Sequence, residues 1–64
     1  MKDYYEILAL TPEASKEDIK RAYFKLVRKY PPDRFETEFM NIREAYETLS
    51  NEKTRKQYDS ISYL

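Results

Sequence analysis

Sixty-four residues make one small domain, and twelve Lys plus Arg against twelve Asp plus Glu leave a formal charge of zero. The chain has no Gly, Cys, His or Trp, which excludes disulfides, Cys/His zinc sites, Cys–His and Ser–His nucleophile pairs and the glycine loops that cradle phosphates. A hydrophobic share of 41% with seven Tyr and three Phe suffices for a compact core, while 38% charged residues keep the outside wet. Without glycine, of which about four or five would be ordinary at this length, the chain is expected to turn on Pro, Asn, Ser and Asp.

Asp3-Tyr4-Tyr5-Glu6 has capping-box spacing, so a first helix is expected from Tyr4 to about Leu8. Thr11-Pro12-Glu13-Ala14 turns the chain, and Ser15 with Asp18 forms a weaker cap. From there Ile19, Ala22, Tyr23, Leu26, Val27 and Tyr30 recur with helical period. Glu17, Arg21, Phe24, Lys25 and Arg28 fall on the opposite side. Pro31-Pro32 must end this second helix, because the residue before a proline is pushed out of the helical region and neither proline can donate a hydrogen bond. Phe35, Phe39, Ile42, Tyr46 and Leu49, with Ala45 beside them, predict a third helix over Glu36 to Leu49, antiparallel to the second. Ser50-Asn51 closes it and caps a fourth, Glu52 to about Asp59, with only Tyr58 and the stems of Lys53, Arg55 and Lys56 to pack. Tyr4, Tyr23, Tyr30, Phe39, Tyr46 and Tyr58 are expected in the core. The fold class is all-α.

Charge is divided by segment. Lys16 to Arg34 holds seven bases against three acids, and Phe35 to Glu52 holds five acids against one base. Two readings stand: the two helices attract along their edges and wear ordinary solvated faces, or the basic second helix docks on an acidic partner. Phe24 on that face is either a lone exposed apolar residue or an anchor for a partner.

Taken in order, Asp3 to Leu8, Ile19-Lys20-Arg21-Ala22-Tyr23, Lys29-Tyr30, Pro32-Asp33-Arg34, Ile42 to Leu49 and Arg55-Lys56-Gln57-Tyr58-Asp59 resemble the J-domain of the DnaJ family. The resemblance covers nearly the whole chain and implies four helices with an antiparallel hairpin of the second and third. It also implies a co-chaperone module, itself no enzyme and without cofactor, that binds a DnaK-type heat-shock chaperone and triggers ATP hydrolysis there. The partner-binding residues it implies are Lys20, Arg21, Tyr23, Lys25 and Arg28 on the second helix and Pro31, Pro32, Asp33 and Arg34 in the loop.

The family's His-Pro-Asp is Pro31-Pro32-Asp33 in this chain. Imidazole both donates and accepts hydrogen bonds and proline does neither, so weak or absent stimulation is expected. Phe24 stands where the family often has a base, and the loop into the third helix is short. Asp33-Arg34-Phe35-Glu36 has capping-box spacing as well, so Asp33 is read either as a partner contact or as the cap or turn residue of the third helix. The alternative function is a J-fold structural or interaction module no longer coupled to the chaperone.

A pI near 6.2, with Glu17 on the exposed face, argues against nucleic-acid binding. No segment reaches the roughly 20 apolar residues of a membrane span. Met1-Lys2-Asp3 opens directly into polar sequence, so the expected setting is a cytoplasmic monomer. The apolar ending Ile61-Ser62-Tyr63-Leu64 suggests residues 1–64 as the N-terminal domain of a longer protein.

Overall fold

The computed structural model describes residues 2–62. Four helices follow one another, with no strand among the described residues: α1 (Tyr4–Ile7), α2 (Lys16–Lys29), α3 (Glu36–Ser50) and α4 (Glu52–Ser62). The all-α expectation holds. Tyr63 and Leu64, on which the continuation of the chain was partly read, lie outside the described residues.

The caps differ in strength from their sequence reading. Of the α1 box only the Asp3 half forms among the described residues, Asp3 Oδ1 accepting from the Glu6 amide at 3.1 Å. The Ser15/Asp18 box is complete: the Asp18 amide donates to Ser15 Oγ and the Ser15 amide to Asp18 Oδ2, both at 3.1 Å. That arrangement satisfies two otherwise unpaired amides of α2.

A second departure concerns turning without glycine. Helix α1 ends in a Schellman motif, in which the Ala9 amide donates to the Glu6 carbonyl at 2.9 Å and the Leu10 amide to the Tyr5 carbonyl at 2.8 Å. The motif needs a left-handed residue after the cap, and Ala9 takes it at φ 58°. Alanine therefore fills a role that Pro, Asn, Ser and Asp were expected to share.

Antiparallel packing of α2 and α3 is fixed by two ring pairs. Near the loop, Tyr30 meets Phe35 edge-on at 5.3 Å; two turns back along α2, Tyr23 stacks on Tyr46 at 4.1 Å. Helix α3 packs against α1, α2 and α4, so it forms the centre. Leu8, Ile19 and Leu49 are its fully enclosed large side chains, with Ala45, Ile42 and Tyr5 between them. The aromatic stripe sits further out than expected: Tyr58 is buried, but Tyr4, Tyr23, Tyr30 and Tyr46 are half-buried around the core. Phe39, also half-buried, lies off the core in a surface groove with Met40 and Arg43. At helical pitch it stands about a quarter-turn off the buried line of Ile42, Ala45 and Leu49. Aliphatic side chains fill the centre, and the wide rings close the seams where helices meet solvent.

Helix α4 is better anchored than its composition suggests. Asn51 Oδ1 caps it by accepting from the Lys53 and Thr54 amides at 2.9 and 3.3 Å. Tyr58 stacks on Tyr4 with centroids 4.7 Å apart, and its hydroxyl donates to the Lys2 carbonyl while accepting from the Tyr4 amide. Arg55, expected to pack by its stem, is only 20% exposed and buries its charged head as well. Its guanidinium donates to the Tyr5 hydroxyl and to the carbonyls of Pro12 and Ala14. Helix α4 is thereby tied to α1 and to the α1–α2 connection.

Candidate functional site

The apolar residues of α2 turn toward α3, with Ile19 fully buried and Ala22, Leu26 and Val27 half-buried against the core. This packing forces the intervening residues outward. Lys20, Arg21, Lys25 and Arg28 are all exposed. Lys20, Arg21 and Arg28, with Lys16, Glu17 and Phe24, line one shallow cleft. Lys25 lines a second groove on the other flank with Lys29, Leu10 and Leu26, which Arg21 and Arg28 also border. Lys16 therefore belongs with the face although the family pattern does not single it out; its place four residues before Lys20 was the available signal.

Among the described residues these cations have few partners in their own chain. Arg21 lies 3.8 Å from Asp18, one helical turn away, and Arg28 Nε donates to the Phe24 carbonyl at 3.2 Å. No ion pair crosses from α2 to α3 among the described residues, where the pairs are Lys2–Glu44, Arg21–Asp18, Arg43–Glu47 and Arg55–Asp59. The edge attraction considered from the sequence is absent as direct contacts. Asp18 is committed to its cap: the Ser15 amide, then the Ser15 hydroxyl, holds its carboxyl below the ordinary 3.8. Arg28 and Lys29 lie in the last turn of α2, where the helix dipole favours cations.

Tyr23 occupies a different position from the cations. It is half-buried, stacked on Tyr46 on one side and met by Phe24 edge-on at 5.5 Å on the other. The ring belongs to the α2–α3 seam and borders the cationic face only through Phe24, and its hydroxyl makes no hydrogen bond among the described residues.

The loop is compact. Tyr30 closes α2 with its amide still bonded to the Leu26 carbonyl at 2.8 Å, and its backbone then leaves the helical region at φ −124°, ψ 71° as Pro31 requires. The Pro31 carbonyl accepts from the Arg34 and Phe35 amides at 3.2 and 2.9 Å. Pro31 is half-buried, while Pro32, Asp33 and Arg34 are exposed. The capping reading of Asp33 does not hold. The cap residue of α3 is Phe35, which makes no side-chain capping bond and whose carbonyl receives the first helical bond, from Phe39. Because Pro31 takes the Arg34 and Phe35 amides, the helix starts two residues later than the box spacing implies. The Asp33 carboxylate makes no hydrogen bond or ion pair among the described residues.

The structure thus presents a short-looped helical hairpin, cationic on one exposed helix, with a free carboxylate at its turn. The model of the DnaJ domain matches residues 3–59, and the chain belongs to the DnaJ domain family. It is similar to proteins named "Chaperone protein DnaJ": 49% identical to that of Macrococcus caseolyticus, covering 97% of this chain and 18% of the relative. The corresponding figures are 45%, 97% and 18% for Bacillus cytotoxicus, and 46%, 98% and 19% for Thermotoga petrophila. The chain spans less than a fifth of the length of these relatives. No described helix is long and apolar enough to cross a membrane.

Proposed function

We propose that this domain is a divergent J-domain co-chaperone module that docks on a DnaK-type heat-shock chaperone in the cytoplasm and stimulates its ATPase weakly or not at all. The observation that carries the docking half is the uncommitted Asp33, exposed at the turn that follows α2, whose bases make almost no ion pairs with their own chain. The family resemblance implies a pair between Asp33 and an arginine of the partner, which needs an available carboxylate, and Asp33 makes no hydrogen bond or ion pair among the described residues. Lys20, Arg21, Lys25 and Arg28 supply the long-range attraction to an acidic surface, and Tyr23 backs Phe24 between them. Arg34 adds a further exposed charge to the loop.

The weak-coupling half rests on chemistry. Backbone bonds from Arg34 and Phe35 to the Pro31 carbonyl hold the turn closed, so loop shape does not depend on a histidine. A side-chain donor at that position does, and Pro31 has none. Docking and triggering are therefore separable here.

Steady-state ATP hydrolysis by a DnaK-type chaperone from the same organism tests both halves. The native chain is expected to give little stimulation, Pro31→His to raise it, and Pro31→His with Asp33→Asn to abolish the gain. Strong stimulation by the native chain would overturn the weak-coupling half. Silence from all three would overturn Pro31 as the missing trigger and favour a J-fold interaction module uncoupled from the chaperone; docking itself is overturned if titration with the chaperone shifts no amide from Lys20 to Arg34 at low salt.

A further inference from the structure

We infer that Phe24 is an apolar anchor on the docking face, so that the partner surface opposite α2 carries a small apolar dent ringed by carboxylates instead of an unbroken acidic patch. This rests on the docking reading above. Phe24 is 48% exposed, and a lone exposed ring would be ordinary. Its setting sets it apart. Lys16, Lys20, Phe24 and Arg28 follow one another at four-residue steps and, with Glu17 and Arg21, line a single cleft. The ring stands in the middle of a row of cations.

The ring is also held in place. Tyr23 meets it edge-on at 5.5 Å and is itself clamped on Tyr46 at 4.1 Å, so Phe24 rests on a rigid pair that links α2 to α3. Arg28 Nε is bonded to the Phe24 carbonyl at 3.2 Å, which orders the guanidinium beside the ring. A preordered aromatic flanked by arginine loses little freedom on binding, and that composition marks interface hot spots. Water displaced by the ring leaves the surrounding charge pairs less screened. The other large exposed apolar residue with a groove of its own, Met40, lies between charges of both signs, with Arg43, Glu44 and Glu47, and shows no such pattern.

The experiment is calorimetric titration of the 64-residue chain into a DnaK-type chaperone from the same organism with ATP present, at low and at physiological salt. Phe24→Ala is expected to weaken binding about tenfold or more at both salt levels, with its melting temperature unchanged, while Phe24→Leu stays within about threefold of the native chain. Lys20→Ala is expected to weaken binding chiefly at low salt. Phe24→Lys decides the chemistry of the facing surface: against an apolar dent it loses as much as alanine, and against a carboxylate it tightens binding. Tighter binding by Phe24→Lys, or unchanged binding by Phe24→Ala, overturns the anchor and leaves docking intact. No binding by the native chain overturns docking and the anchor together.

Discussion

The guanidinium of Arg55 donates to the carbonyl oxygen of Ala14 at 2.7 Å, across 41 residues of sequence. The same group also reaches the Pro12 carbonyl at 3.0 Å and the Tyr5 hydroxyl at 3.1 Å. In a domain with so small a core, these bonds are a sizeable part of what holds α4. Arg55→Ala is expected to cost about 2 kcal/mol, since bonds to a charged donor are lost and the Tyr5 hydroxyl is left short of a partner. Thermal unfolding followed by circular dichroism should then shift down by about 8 to 16 °C. A shift below 2 °C would place α4's anchorage elsewhere, in the Tyr4–Tyr58 stack.

Ala9 offers the opposite change. A non-glycine residue in the left-handed region costs roughly 1–2 kcal/mol, and glycine would relieve this while adding about 0.4–1 kcal/mol of unfolded-state entropy. Ala9→Gly is therefore expected to stabilise the domain by about 0.5–1 kcal/mol. The urea midpoint should rise with an unchanged slope.

Acid should destabilise the domain through two named carboxylates. The Tyr4 hydroxyl, and then Lys2, hydrogen-bonds Glu44 and holds it below its ordinary 4.5, while Ser15 holds Asp18 below 3.8. Groups whose folded pKa is depressed bind fewer protons folded than unfolded, so their contribution is present above the unfolded values and lost as pH falls through the folded ones. Urea midpoints of the native chain should fall as pH drops below about 4.5, and those of Glu44→Gln with Asp18→Asn should fall less. At the alkaline end the sign reverses in cause but not in outcome. Tyr4, raised chiefly by its bond to Glu44, and Tyr5, raised chiefly by burial, favour the neutral form when folded. Their contribution is complete below 10.0 and is lost as pH rises through the folded values.

Tyr23 separates structure from contact. Tyr23→Phe keeps the stack on Tyr46 and removes a hydroxyl without a hydrogen bond among the described residues, so stability should change by less than about 0.5 kcal/mol. Tyr23→Ala removes the ring from the hairpin seam and should cost about 2–3 kcal/mol, toward the lower end of large-to-small changes because the site is half-buried. Chemical denaturation of both variants checks the pair. A loss of docking in Tyr23→Ala is then to be read against its folded fraction.

The elements legible in the sequence were those written in local covalent geometry or in period. Pro31 and Pro32 end α2 by ring closure alone, and the spacing of Ile42, Ala45 and Leu49 describes α3 wherever it packs. Membership of the DnaJ domain family was legible because its signals lie in order along the chain. Arg55 was not, because its acceptors are carbonyls of Pro12 and Ala14, a type of group every residue carries. Ala9 was not, because alanine has no left-handed preference to give it away. Asp33 was left between cap, turn and partner contact because the box spacing is present; the Pro31 carbonyl takes the amides of that turn, and the helix begins at Glu36 with Phe35 as its cap. The uncommitted state of Asp33, on which the docking proposal depends, follows from a backbone bond that no side-chain pattern announces.

The division of charge between α2 and α3 has a consequence for motion as well as for contact. With no net charge, the domain feels little pull from a distant charged body, but its separated poles give it an electric moment and hence a torque. The screening length at physiological salt, about 8 Å, is comparable with the roughly 8–10 Å between the axes of packed helices. At contact range a charged surface facing α2 therefore meets its bases more strongly than the acids of α3, while farther off it meets the neutral sum. Added salt shortens the distance over which that torque acts.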